Sequence, residues 1–223
     1  MHLRLEDKQK AVALRLRGKS FGEIRTQIPN LSKSTLSGWI KHVKLTPEQE
    51  QILQKRIGRI TYNARARTAW TKREKRLGQI RLTTQQAKQE LPILIANPLF
   101  VLGVSLYWAE GSKTEERIQF SNSDPRLIKI MLRWFKEIGK IPKEKMHVHI
   151  YIHEIYRNER CEEFWSKITG IPVSRLGKTT YKPTPHKVKK NLEYKGVCRI
   201  DIGSTSLFRR MMGWQQGISE IFN

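Results

Sequence analysis

The stretch LPILIANPLFVLGVSLYWA, from Leu91 to Ala109, carries no charge and is long enough to be mistaken for a membrane span. Asn97-Pro98 divides it. Asn97 is a good helix N-cap and Pro98 suits the first helical position, so a helix is predicted from Pro98 to a stop at Gly111, where a left-handed C-terminal cap is expected. That length fits a buried core helix and is too short to cross a bilayer. The helix delivers one carboxylate, Glu110, to its own C-terminal end, in the negative half of the macrodipole, where a cation is preferred. A divalent metal relieves such a placement, takes hard oxygen ligands and bridges phosphate oxygens; Lys113 stands close by in sequence. The plainer alternative is a core helix that ends in an exposed Glu and a glycine cap.

The nature of the partner follows from charge. The 223 residues include 43 Lys and Arg against 20 Asp and Glu, a formal net charge of +23. Such an excess is costly by self-repulsion unless a polyanion neutralises it, and nucleic acid does so with release of condensed counterions. A membrane surface is the other candidate, but it calls for a lipid-facing helix or an anchor, and neither end carries a lipidation motif. The opening MHLRLEDKQK lacks an apolar signal core, which points to the cytoplasm, with nucleoid association. Cys161 and Cys198 have no CxxC partner, so reduced structural thiols are expected rather than a disulfide or a zinc site.

Residues 1–45 read as a helix-turn-helix domain. Leu3, Leu5, Ala11, Val12, Leu14 and Leu16 populate a first helix that stops at Gly18. Ser20 with Glu23 forms a capping box for a short second helix carrying Phe21, Ile24 and Ile28. Pro29-Asn30 makes the turn, and Ser32 caps a third helix with Leu36 and Ile40 inward. SFGEIRTQIPNLSKSTLSGWIKH resembles the helix-turn-helix of resolvases and transposases. That resemblance implies a third helix in the major groove, with Lys33, Ser34, Thr35, Ser37 and Lys41 toward the DNA. A small helical protein-interaction module is the alternative.

Residues 46–95 form a basic helical linker. Arg65, Arg67, Lys72 and Arg73 belong to the run from Lys55 to Arg81, whose single acid is Glu74, and such a stretch lies along phosphates or orders on binding. A purely solvated face normally mixes the two signs.

Beyond the apolar helix the pattern turns to α+β. Arg117 to Ser121 alternates, with Ile118 and Phe120 inward. Asp124-Pro125 opens a helix with Leu127, Met131, Trp134, Phe135 and Ile138 on one face, ended by Gly139. Met146 to His153 is a strand with Val148, Ile150 and Ile152 on its apolar side. A helix around Phe164 and Trp165 closes at Gly170, strands are expected near 175–182 and 196–203, and a last helix runs from about Ser204 to Phe222.

Gly103 to Gly111, above all Ala109-Glu110-Gly111-Ser112, resembles the signature helix of the LAGLIDADG homing endonucleases, and the likeness extends from residue 96 onward. It implies an αββαββα half-saddle, here with an inserted helix around 155–172. It implies Glu110 as ligand of a divalent metal, Mg²⁺ by preference, and a homodimer in which Gly103, Ser105 and Ala109 form the helix interface so that two Glu110 side chains meet. Trp108 stands where the family often has its first Asp, and Ser105 where a Gly is usual.

In that family the sheet is a saddle across double-stranded DNA. Alternation then gives a reading surface of Arg117, Gln119, Ser121, His147, His149, Tyr151, Lys178, Thr180, Lys182 and Arg199. The group that assists Glu110 is open among Lys113, Gln119, Lys178 and Arg199, with Lys113 and Gln119 the favoured pair. His147, His149 and His153 are alternatively a metal site. The function expected is a homodimeric, metal-dependent double-strand DNA endonuclease of the homing type. The alternatives are a non-cleaving transcriptional regulator on the same fold, which Trp108 favours, and an accessory protein of a mobile element.

Overall fold

The computed structural model describes residues 4–183 and 193–222. The chain is α+β, with a four-stranded mixed sheet, and divides into two compact units, Met1–Arg76 and Leu77–Asn223.

In the first unit, α1 (Leu5–Leu16), α2 (Phe21–Gln27) and α3 (Lys33–Ile40) pack around Ala11, Leu14, Ile24, Ile28, Leu31, Leu36 and Ile40. The caps form as their residue types dictate. Ser20 Oγ accepts from the Glu23 backbone N–H while the Glu23 carboxylate accepts from the Ser20 N–H, and Ser32 Oγ accepts from the Thr35 N–H. Arg4 donates to the carbonyls of Pro29 and Asn30, which ties the start of α1 to the turn before α3. Leu5 and Leu16 are exposed at the two ends of α1, and Leu3 lies outside the described residues.

The basic stretch is one helix, α4 (Pro47–Leu94). Every residue from 57 to 76 is exposed, because the segment has no apolar stripe wide enough to bury. Pro92 falls in its last turn.

In the second unit α5 (Pro98–Glu110) is followed by β1 (Ile118–Asn122), α6 (Pro125–Glu137), β2 (His147–His153), α7 (Cys161–Thr169), β3 (Thr180–Lys182), β4 (Val197–Ile202) and α8 (Thr205–Ile221). The sheet order is β1-β4-β2-β3, antiparallel except for the β2–β3 pair. Asn97, Asp124 and Ser204 cap α5, α6 and α8, and Gly170 closes α7 at φ +63°.

Three features differ from the sequence expectation. Between α5 and α6 there is one strand, and its hairpin partner is reduced to an isolated bridge between Gly111 and Phe120. Gly111 is extended (φ −78°, ψ 152°), not left-handed. Glycine is needed there for space instead, since a Cβ would lie 2.6 Å from the Tyr107 ring. The strand expected at 175–182 shortens to β3, because Val173–Arg175 turns as a 3₁₀ helix.

One face of the sheet is wholly apolar. Ile118, Phe120, Val148, Ile150, Ile152, Cys198, Ile200 and Ile202 point into a core completed by Phe100, Val104, Tyr107, Met131, Trp134, Phe135 and Trp214. Both thiols are free and buried, and burial pushes Cys161 and Cys198 up to about 12, so neither is an ionised nucleophile near neutral pH.

Gly103 admits α6 to α5. A Cβ there would lie 2.0 Å from Trp134 Cδ1 in an interior with no slack. Gly103→Ala is therefore expected to destabilise the unit by about 1–3 kcal/mol through overpacking. Gly78→Ala, in α4 with open space around it, should instead be neutral or stabilising by up to about 1 kcal/mol. Thermal melts of the two variants check the contrast, and equal shifts would mean that α5 does not depend on this approach.

Candidate nucleic-acid interface

The same alternation that buries one face of the sheet builds a polar face opposite. Antiparallel partners in register share a face, so Gln119, Asp201 and His147 form one row across β1, β4 and β2. Ser121, Arg199 and His149 form the next. Val197, Tyr151 and Thr180 follow, then His153 and Lys182. Arg117 flanks the first row, one residue before β1.

Asp201, in the first of these rows on the inner strand β4, has only 3% of its surface exposed. Its carboxylate accepts from Arg117 Nη2 through one oxygen and from Gln119 Nε2 (3.0 Å) through the other, with Arg199 Nη2 at 3.8 Å. The alternation that placed Arg199 outward in Cys198-Arg199-Ile200-Asp201-Ile202 places Asp201 outward too, and this residue was not among those the sequence singled out. Tyr151 lies between two cations, with the Arg199 guanidinium 5.0 Å and Lys182 Nζ 5.4 Å from its ring centroid.

His149 packs where a Cβ on Gly177 would lie 2.2 Å from its ring, and the Gly177 N–H donates to the Val148 carbonyl (2.8 Å). Lys178, expected on a strand, lies instead in the exposed coil that this contact holds before β3. The 3₁₀ turn and the Gly177 contact use up the residues that a longer strand would need.

At the other end of β1, Tyr107 fastens α5 to the sheet. Its hydroxyl donates to the Ser112 carbonyl (2.7 Å) and receives the Gln119 N–H (3.4 Å), and burial holds it un-ionised, pushed up to about 12. Glu110 is exposed at the last residue of α5. Lys113 turns back and donates to the Gly111 carbonyl (2.6 Å), so the negative end of the helix has a cation of its own.

The proposed helix-interface residues separate. Gly103 is buried against Trp134 of its own chain and offers no surface to a partner, because the α5–α6 contact consumes it. Ser105 and Ala109 are exposed, together with Leu102 and Trp108. In the first unit Lys33, Ser34, Thr35, Ser37 and Lys41 are all exposed, with the Ser34 and Thr35 hydroxyls 2.9 and 2.7 Å from Ser32 Oγ. Arg65, Arg67, Lys72 and Arg73 are exposed on α4.

Among the described residues no three His, Cys, Asp or Glu side chains are grouped to hold a metal ion, His147, His149 and His153 included. No helix among them is long and apolar enough to cross a membrane. No known protein family, characterised protein or solved structure matches the chain.

Burial, reinforced by the Arg199 charge, holds the His149 imidazole below the ordinary histidine range, against the opposing pull of Asp201. A depressed value means the unfolded chain takes up this proton first. Stability is therefore present above the ordinary histidine value of about 6.5 and is lost as pH falls toward the folded value. His149→Gln should flatten that fall in melting temperature between neutral pH and pH about 5. Parallel curves for the two proteins would show that His149 contributes nothing to it.

Proposed function

We propose that the chain is a sequence-specific double-stranded DNA-binding protein that acts as a homodimer and, by its likeness to the LAGLIDADG family, a metal-dependent endonuclease of the homing type. The observation that carries the DNA-binding part is the polar sheet face. Arg117, Gln119, Ser121, His147, His149, Tyr151, Lys182 and Arg199 share one surface, and their groups match base edges and phosphates. The exposed residues of α3 suit an outer major-groove contact, and the cations of α4 suit phosphates. On this reading the Leu77–Asn223 unit is a variant αββαββα half-saddle in which the first strand pair is reduced to β1 and α7 is inserted.

Cleavage would rest on Glu110. It is a hard-oxygen donor, exposed at the helix end, and the other acid on the adjoining sheet, Asp201, has both oxygens engaged by Arg117 and Gln119. One chain therefore supplies one carboxylate, and a Mg²⁺ site needs the Glu110 of a second copy together with phosphate and water oxygens. Bound there, the ion would polarise the phosphate and acidify a water. The exposed Leu102, Ser105, Trp108 and Ala109 give α5 a largely apolar surface for that second copy.

A non-cleaving regulator on the same framework is the second reading. The Lys113 contact to the Gly111 carbonyl favours it, because the helix end is then neutralised without a metal.

Two experiments test the proposal. Glu110→Gln should abolish Mg²⁺-dependent cleavage of a randomised duplex library while leaving affinity within about threefold, since the groove contacts lie elsewhere. Equal cleavage by variant and wild type would remove Glu110 from the chemistry, and no wild-type cleavage with Mg²⁺ alongside sequence-selective binding would establish the regulator. Replacing Arg65, Arg67, Lys72 and Arg73 by Ala should weaken binding to all sequences alike. The log-log salt slope should flatten by about 0.9 per lost contact. An unchanged slope would make this part of α4 a solvated tether.

A further inference from the structure

Within that DNA-binding reading, on which this rests, we infer that Asp201 is the positioning residue that decides which base pair the sheet face accepts. It does so by fixing the order of donor and acceptor that Gln119 presents and by holding Arg117 beside it. An ionised carboxylate only accepts hydrogen bonds. With Gln119 Nε2 donating to Asp201 Oδ2 at 3.0 Å, the amide cannot turn over, and Oε1 is committed to the opposite side. One Nε2 hydrogen remains beside Oε1.

That edge, with one acceptor and one donor in fixed order, is the complement of adenine in the major groove, which offers N6–H₂ as donor and N7 as acceptor. A free amide presents the two groups in either order and discriminates less. Arg117 is tied to the other oxygen through Nη2 while its Nε is buried without a hydrogen-bond partner, so the guanidinium is set by the same carboxylate.

The setting supports a directing role over a stabilising one. Asp201 is 3% exposed and lies among Arg117, Gln119 and Arg199, with His147 opposite it on β2. The Arg117 side chain is 43% exposed, so solvent screens its ion pair with Asp201 and can take over its charge when the carboxylate is removed, whereas the hydrogen bonds to the carboxylate fix the groups around it. Its charge also opposes phosphate, so Asp201 costs affinity for DNA in general. Removing that charge should therefore move affinity and selectivity in opposite directions, which general damage to the fold does not do.

The test equilibrates wild type, Asp201→Asn and Gln119→Leu with a randomised duplex library in EDTA, sequences the bound pools and measures affinity for a fixed bulk duplex. Wild type should show an A·T preference at one step of each half-site. Asp201→Asn should lose about tenfold of that preference while binding bulk duplex at least as tightly, and Gln119→Leu should lose the same step. Retention of the preference by a folded Asp201→Asn protein would overturn the inference. If a thermal melt shows that this variant does not fold, the paired variant Arg117→Gln with Asp201→Asn, which removes both charges of that ion pair, decides: loss of the A·T preference supports the inference and an unchanged pool overturns it. A wild-type pool without sequence preference would overturn the DNA-reading proposal itself, whereas a preference untouched by Gln119→Leu overturns only the role given to Asp201.

Discussion

Trp134 of α6 meets Trp214 of α8 edge-on at 5.9 Å between ring centroids, and Phe100 of α5 meets Trp214 in the same manner at 5.3 Å. The Trp134 indole N–H donates to the Phe100 carbonyl (3.2 Å), so the largest side chains of the core leave no buried donor unpaired between them. Gly103 makes the contact possible by giving up a side chain where Trp134 enters. Each ring pair adds about 0.5–1.5 kcal/mol beyond the area it buries. The larger consequence is geometric. Three helices are drawn onto one side of the sheet, which leaves the alternating polar residues of β1, β4, β2 and β3 together on the other.

The charges divide along the same line. In the second unit Arg210 pairs with Glu90 at 3.0 Å while Glu90 also accepts from the Trp214 indole, and Arg209 pairs with Glu116 at 2.8 Å. Those cations are held within the structure. On the polar sheet face Arg117 and Arg199 both approach one acid, Asp201, and the exposed part of α4 has Glu74 alone against its run of Arg and Lys. Cations therefore outnumber acids on the polar sheet face and along the exposed part of α4, the two surfaces proposed to meet phosphates.

Much of this was legible in the sequence, for identifiable physical reasons. Caps at Ser20, Ser32, Asn97, Asp124 and Ser204 set helix starts locally, through a side-chain oxygen and nearby backbone N–H groups. Period-2 alternation put Gln119, His149, Tyr151 and Arg199 on one face, which the strand register bears out. What depends on tertiary approach was not legible. Gly103 carries the same small-residue signal whether its neighbour is Trp134 or a second copy, and only the packing of α6 decides. Gly111 suggested a left-handed cap, yet the bridge to Phe120 holds it extended and the Tyr107 ring explains the glycine. Alternation also places Asp201 on the polar face, but its burial and its hold on Arg117 and Gln119 arise only from the pairing of β1 with β4.

Photo-crosslinking from the polar sheet face tests most directly whether DNA lies there. A photoreactive phenylalanine analogue in place of Tyr151, between Arg199 and Lys182, should crosslink to bound duplex DNA, whereas the same group in place of exposed Lys136 on α6 should not. Crosslinks from position 151 at inner base pairs of the protected site are the predicted result. DNA bound at full affinity with no crosslink from position 151, or with equal crosslinking from position 136, would contradict the assignment of this face.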